Sequence, residues 1–255
     1  MQLLKAFYRG ISAYLKVVPL FSKLGLWKYL LLTAGISLLV LIFIAGFAYS
    51  IAQLVLALPY ESMIGPNPGL ATAIAVVAFL GVIVIGVLLF KHLVLIATSP
   101  WMGKVAEAVA THVNESASHL QETVHGNTRQ ERITLIKRSL RLNIRLIFFE
   151  LLLTVPLLLL GLIPGVNIAS AVGLVIVQSY FVGAGTLDFT LENRYAYSES
   201  VAYFNNNRWL TIGIGLGFVL LLFTAVGFLF APAWSAAASS YAFHEHAAKQ
   251  KLSMS

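Results

Sequence analysis

Two long apolar runs constrain this chain more than any other feature of its sequence. They cover residues 28–58 and 70–96. Each exceeds the roughly 20 residues that a helix needs to cross a hydrocarbon core about 30 Å thick. Hydrophobic residues make up 59% of the chain and charged residues only 11%, so a lipid environment fits the composition better than water does. The sequence predicts an all-α integral membrane protein, organised as a single membrane domain over residues 1–255.

Several functional classes are disfavoured by what the sequence lacks. It contains no cysteine, so disulfides, thiolate metal sites and cysteine nucleophiles are not available to it. No small-residue cleavage site follows the first apolar run, which favours a retained anchor over a removed signal peptide. No GxSxG, HExxH or phosphate-loop motif occurs. We therefore expect no enzymatic activity, no catalytic residues, no cofactor and no nucleic-acid partner.

Four further apolar runs follow, at residues 146–163, 168–187, 209–231 and 233–243. Glu150 interrupts the third run and leaves 13 residues up to Ile163, about 20 Å of helix, and the sixth run is shorter still. Segments this short predict two helical hairpins, 146–187 and 209–246, that penetrate the bilayer only partway. Their tips would lie at Pro164, Gly165 and Pro232, sheltered by protein or water.

The basic residues predict the orientation of the chain. They lie in four places: residues 1–28, the region from Lys91 to Arg145, Arg194 and Arg208 between the hairpins, and Lys249 and Lys251. The three intervening turns, "PYESMIGPNPG", "IPGVN" and "APAW", contain none. Because cytoplasmic loops are enriched in Lys and Arg, this pattern predicts that both termini and residues 97–145 are cytoplasmic.

The order of several motifs resembles a known family. The stretches "IATSPWMGKVAEAV", "LIPGVNIASAVGLVIVQSYFVGAGTLDFTLENRYAYSES", "NNNRW" and "APAWSAAASSYAFHEH" are similar to the bacterial CysZ-type sulfate permeases. The same domain occurs in the eukaryotic etoposide-induced endoplasmic-reticulum membrane proteins. The resemblance implies two long spanning helices, two half-penetrating hairpins and a homo-oligomer, located in the bacterial inner membrane.

The resemblance also implies an anion site at the start of the first long helix. Related permeases have a glycine, an aliphatic residue and two basic residues there, where this chain has Gly25, Leu26, Trp27 and Lys28. Backbone N–H groups at a helix start favour an oxyanion, and a basic side chain strengthens its binding. Trp27 replaces the first basic residue, and Lys28 offers a point charge where Arg would offer a fork. The alternative is that Trp27 and Lys28 anchor the helix at the membrane interface.

Amphipathic helices are predicted outside the long spans. Residues 1–24 form an interfacial helix that ends near Pro19. In residues 97–145, Ser99 is a candidate N-cap with Pro100 at the first helical position, and a second helix continues into the third apolar run. Its basic face contacts lipid headgroups or, alternatively, forms a funnel that concentrates anions. That face comprises Lys137, Arg138, Arg141 and Arg145.

Other polar residues allow two interpretations each. Asp188 and Glu192 either couple transport to protons or serve as a cap and an ion pair with Arg194 or Arg208. A set of His112, Glu115 and His119 is more consistent with a solvated surface than with a metal site, so no metal is predicted. Glycines at 213, 215 and 217, with the Ala/Ser run 235–240, predict close helix packing.

These observations favour a permease or channel for an inorganic oxyanion similar to sulfate. The alternative is a membrane organiser or assembly factor that uses the same scaffold without transport.

Overall fold

A computed structural model describes residues 2–57, 68–115, 129–192, 194–224 and 226–254. All regular structure in these ranges is helical, which confirms the predicted all-α class. The helices are α1 (Gln2–Lys16), α2 (Val18–Lys23), α3 (Trp27–Leu56), α4 (Pro68–Glu115), α5 (Arg129–Gly161), α6 (Asn167–Leu191), α7 (Tyr197–Asn206), α8 (Arg208–Leu222) and α9 (Gly227–Met254).

The N-terminal segment forms two helices where the sequence predicted one. α1 ends at Lys16, and Pro19 lies in the first turn of the short helix α2. A proline is tolerated there because first-turn N–H groups have no partner within the helix. Gly25 then takes a φ of +62°, a conformation that glycine adopts readily, and α3 begins two residues later.

The predicted helix break at Ser99 and Pro100 is wrong, because α4 runs through both residues as one helix of 48 residues. Proline cannot donate to the carbonyl four residues earlier, which is that of Ile96. The hydroxyl of Ser99 donates to this carbonyl at 2.9 Å. The side chain that was predicted to cap a new helix instead satisfies the acceptor that Pro100 leaves, and the helix continues.

The prediction that the basic helix continues into the third apolar run is confirmed by α5, which ends at Gly161. The interruption predicted at Glu150 is wrong, because this residue lies buried within α5 and its carboxylate is paired. α6 returns alongside α5, and the hydroxyl of Ser170 donates to the carbonyl of Leu157 across the pair. Gly165, with a φ of +89°, lies in the turn between the two helices.

Pro232 is not a hairpin tip. It lies fully inside α9 and is buried, so the turn of the second hairpin falls earlier, between Leu222 and Gly227. Thr224 helps to end α8, since its backbone N–H and its hydroxyl both lie within hydrogen-bond distance of the Leu221 carbonyl. The last helix therefore has 28 residues, far more than the 11 of the sixth apolar run.

Small residues allow α1, α6 and α8 to approach closely, as predicted for this glycine series. A Cβ on Gly215 would collide with the carbonyl oxygen of Ser179 in α6, and a Cβ on Gly213 would collide with that of Phe7 in α1. The hydroxyl of Tyr14 donates to the carbonyl of Ile214 at 2.8 Å. This contact holds α1 against α8.

Within the described ranges, four helical segments are long and apolar enough to cross a membrane. Large apolar side chains point outward along α3, α5 and α6, Phe43, Phe148 and Ile168 among them. A soluble protein rarely exposes so extensive an apolar surface, and the chain is therefore an integral membrane protein. The four segments are Trp27–Leu56, Leu89–Val113, Ile136–Gly161 and Asn167–Leu191.

Candidate functional site

The start of α3 presents the residues of the predicted anion site together. The turn at Gly25 is exposed, Leu26 is buried beneath it, and Trp27 and Lys28 open the helix with exposed side chains. Among the described residues, no side chain caps the helix at Leu26. The N–H of Tyr29 donates to the Leu26 carbonyl at 3.0 Å, so the backbone donors that an anion could meet at this helix start are those of Trp27 and Lys28. The indole Nε1 of Trp27 donates to the hydroxyl of Ser22 at 3.3 Å. The ammonium of Lys28 lies 5.2 Å from the ring centre of Tyr29.

Arg138 belongs to an ion pair between helices. From α5 its guanidinium donates to Asp188 of α6, with Nη2 2.9 Å from Oδ1. It also donates to the hydroxyl of Ser200 at 2.8 Å and to the carbonyl of Tyr195 at 2.7 Å. The partner of Asp188 is thus Arg138, so the predicted pairing with Arg194 or Arg208 is wrong for this residue.

Glu192 lies one helical turn after Asp188 and is buried. Among the described residues, neither of its carboxylate oxygens has a hydrogen-bond partner. Burial first, and the nearby charge of Asp188 second, raise the pKa of the Glu192 carboxyl well above its ordinary value, while Arg138 acts in the opposite direction. A buried carboxyl with these neighbours favours its neutral, protonated form.

The four basic residues predicted as an anion funnel do not share one environment. Arg138 is held by the ion pair, whereas Lys137, Arg141 and Arg145 are exposed. The guanidinium of Arg141 lies 4.7 Å from the ring centre of Tyr197, and that of Arg145 lies 5.8 Å from the ring centre of Phe149. A surface role for the basic face therefore rests on three residues.

A buried polar cluster between α4 and α5 was missed by the sequence analysis. Lys91 Nζ lies 2.5 Å from Glu150 Oε1, and His92 Nε2 lies 2.8 Å from Glu150 Oε2. His92 Nδ1 lies 3.1 Å from Oδ1 of Asn143, and all four residues are buried. The sequence interpretation took Lys91 as a cytoplasmic charge and Glu150 as an interruption. Opposite charges inside two apolar helices are a signal that such a cluster exists.

The remaining predicted residues are located as follows. Pro164 and Gly165 lie exposed on the protein surface in the α5–α6 turn. His112 lies near the end of α4, but His119 falls outside the described residues. Across the described part of the chain, no group of three or more His, Asp or Glu side chains is arranged to hold a metal ion.

Comparison with known families gives a match that covers most of the chain. The family described as sulfate transporter CysZ/etoposide-induced protein 2.4 matches residues 13–232. The matched region contains the start of α3, both polar clusters and the turn of each hairpin. No curated protein matches the chain.

Proposed function

Because this chain belongs to the family of the sulfate transporter CysZ and etoposide-induced protein 2.4, we propose that it is a membrane permease or channel for an inorganic oxyanion similar to sulfate. The proposal involves no catalytic step. The observation that carries it is the geometry at the start of α3. There, the Gly25 turn leaves an uncapped helix start next to the exposed ammonium of Lys28.

This geometry suits a doubly charged oxyanion for two reasons. The N-terminus of a long helix carries partial positive charge and free N–H donors. Lys28 adds a full charge that can approach the same ligand. The side chain of Trp27 has only its indole N–H as a donor, and this N–H is directed to Ser22. Binding at this site would therefore depend on the backbone and on one charged side chain.

The proposed architecture has two spanning helices, α3 and α4, and two hairpins, α5–α6 and α8–α9, that enter the bilayer from the cytoplasmic side. Both termini are cytoplasmic, the membrane is the bacterial inner membrane, and the protein forms a homo-oligomer. Basic-residue asymmetry supports the orientation. The 15 residues of α8 span only about 22 Å, which supports partial penetration of the second hairpin. For α5 and α6 the support is the family resemblance, since their lengths permit a full crossing.

Single introduced cysteines can test the hairpins, because the chain has none of its own. Asn167→Cys and Thr224→Cys place thiols beside the two turns, and Asn67→Cys serves as the externally accessible control. A membrane-impermeant reagent added outside intact cells should label position 67 rapidly and the other two slowly. Equal labelling at all three positions would mean that both hairpins cross completely.

Uptake of labelled sulfate into liposomes that contain only this protein tests the function. Uptake above that of empty liposomes is the expected result, and competition by a second oxyanion would define the substrate class. The second candidate function, a non-transporting membrane organiser, is favoured by the aromatic side chain of Trp27 at a basic position of the family pattern. Properly folded protein without sulfate uptake or binding would support the organiser and reject the permease.

A further inference from the structure

The orientation of one buried amide determines the hydrogen positions in the polar cluster between α4 and α5. Asn143 Nδ2 lies 2.9 Å from the backbone carbonyl oxygen of Ser139. A carbonyl oxygen only accepts hydrogen bonds, so the NH₂ group of Asn143 must face it. The amide oxygen Oδ1 of Asn143 therefore faces His92.

His92 then has an acceptor opposite each ring nitrogen. Nδ1 lies 3.1 Å from the Asn143 amide oxygen and must carry a hydrogen to bond to it. Nε2 lies 2.8 Å from Oε2 of Glu150. If Nδ1 carries the only hydrogen of a neutral imidazole, the lone pair of Nε2 would point at an ionised carboxylate oxygen. Two acceptors at this distance repel each other, and burial removes the water that could separate them.

We propose that His92 and Glu150 hold one additional proton between them, which makes this pair a proton-binding site inside the membrane domain. The proton lies on Nε2 opposite a carboxylate, or on Oε2 opposite a neutral ring. Both arrangements complete the same hydrogen bond. Lys91 donates to the other carboxylate oxygen, so the cluster carries one net positive charge when Lys91 is charged and the site is filled. Release of the proton would leave the cluster neutral.

The neighbouring helices determine which other groups can influence this site. α6 contributes the glycine Gly185, on which a Cβ would lie 3.1 Å from Leu95 and 3.7 Å from the Asn143 amide oxygen. The α6 carboxylate Asp188 is paired with Arg138 of α5. α3 and α9 also contact α4. Three of their described ionisable side chains have other contacts: Lys28 lies over the ring of Tyr29, His244 bonds to the Ser240 carbonyl, and Glu245 pairs with Lys16. The others are the tyrosines Tyr29, Tyr49 and Tyr241.

Nitrogen NMR of protein labelled with ¹⁵N at histidine tests the proposal directly, with His92→Gln to assign the signals. The measurement is made on the full chain in lipid nanodiscs at about pH 7.5, where an exposed imidazole with a pKa of about 6.5 is mostly neutral. His92 should show a protonated Nδ1 and an Nε2 that either carries or accepts the hydrogen shared with Glu150. A bare Nδ1 with a protonated Nε2, or rapid exchange between the two neutral tautomers, would overturn the proposal.

Glu150→Gln supplies a second measurement. Its side-chain amide can donate to Nε2 and still accept from Lys91, so no additional proton is needed. If the pair in the parent is imidazolium and carboxylate, Nε2 should lose its hydrogen in this variant. If the pair is imidazole and carboxylic acid, the carboxyl signal in the infrared spectrum of the parent should disappear in the variant. Retention of an imidazolium in the variant would contradict the proposal. Asp188→Asn, which removes a buried carboxylate outside the cluster, should leave the His92 signals unchanged.

The two experiments remain separate from the test of transport. If Glu150→Gln fails to fold, as judged by size-exclusion chromatography, the parent protein is tested by its nitrogen spectrum together with its infrared carboxyl signal. An Nε2 without a hydrogen and no protonated carboxyl signal would overturn the proposal. The proton site does not require sulfate uptake, so a failed uptake assay with the expected spectrum would reject the permease and retain this site.

Discussion

The guanidinium of Arg138 on α5 lies 2.9 Å from the carboxylate of Asp188 on α6, across the interior of the first hairpin. The Asp188 side chain is only 3% exposed and that of Arg138 is 16% exposed. Most of the contact is therefore shielded from water. The main effect of a buried ion pair on stability appears when one partner is removed, because the other partner is then left as an unpaired buried charge.

Arg138→Ala should destabilise the protein by about 3 kcal/mol, because it leaves a buried carboxylate without its partner. Thermal unfolding in detergent is the measurement. Arg141→Ala is the matched control, since Arg141 lies on the exposed face of the same helix and should cost under about 1 kcal/mol. Adding Asp188→Asn to Arg138→Ala should restore part of the loss. Equal effects of the two arginine substitutions would show that the ion pair contributes little to stability.

Gly215→Ala should reduce stability by about 1 to 3 kcal/mol, because the added methyl collides with the Ser179 carbonyl and forces α6 and α8 apart. Gly35→Ala is the control: a Cβ there meets no atom within 4 Å, and alanine favours the helix. The unfolding temperature of Gly215→Ala should fall, whereas that of Gly35→Ala should stay the same or rise. Similar temperatures would argue against close packing at Gly215.

Glu192 should make stability depend on pH. Because the pKa of its carboxyl is raised in the folded protein, the folded state retains a proton that the unfolded chain releases. Stability should therefore fall as pH rises from about 4.3, the ordinary glutamate pKa, towards the raised folded pKa. Glu192→Gln should remove this decline and be more stable than the parent at high pH.

Unfolding temperatures measured as a function of pH test this prediction. Glu107→Gln on α4, which removes a carboxylate outside the Asp188–Glu192 pair, is the control and should keep the decline. A parent curve with the same slope as that of Glu192→Gln would show that Glu192 is ionised in the folded protein.

Lys28→Ala should weaken oxyanion binding tenfold to a hundredfold, corresponding to about 1.5 to 3 kcal/mol for a charged hydrogen-bond partner. Trp27→Arg should strengthen sulfate binding by restoring a forked donor. Isothermal titration of the purified protein measures both effects. Lys23→Ala is the control, because Lys23 is also exposed but ends α2 instead of opening α3. No detectable sulfate binding in the parent and no gain with Trp27→Arg would reject this site.

The apolar runs and the charge pattern predicted the helical class, the two long apolar helices and the continuity of α5. These properties depend on residues that are close in sequence, so they can be read locally. The helix start at Pro100 was predicted from an N-cap serine followed by a proline, and the hairpin tip at Pro232 from the short apolar run that follows it. At Pro100 the neighbouring hydroxyl of Ser99 bonds to the carbonyl that the proline leaves, and the helix is preserved.

The polar clusters were less predictable, because their partners lie far apart in sequence. Glu150 binds Lys91 and His92 from 59 and 58 positions away. Asp188 binds Arg138 from 50 positions away, although Arg194 is much closer in the chain. Sequence spacing shows that a charge in an apolar helix needs a partner, but only the packing of α4, α5 and α6 shows which one.

The hydrogen bond from Tyr14 to Ile214 also bears on the order of events during synthesis. The two residues lie 200 positions apart, and ribosomes add about 5 to 20 residues per second. Roughly 10 to 40 s of translation therefore separate the emergence of α1 from that of the surface that receives it. We expect α1 to rest on the lipid surface as an amphipathic helix during this interval. Although α1 is synthesised well before α8, it is thus among the last helices to reach its final place.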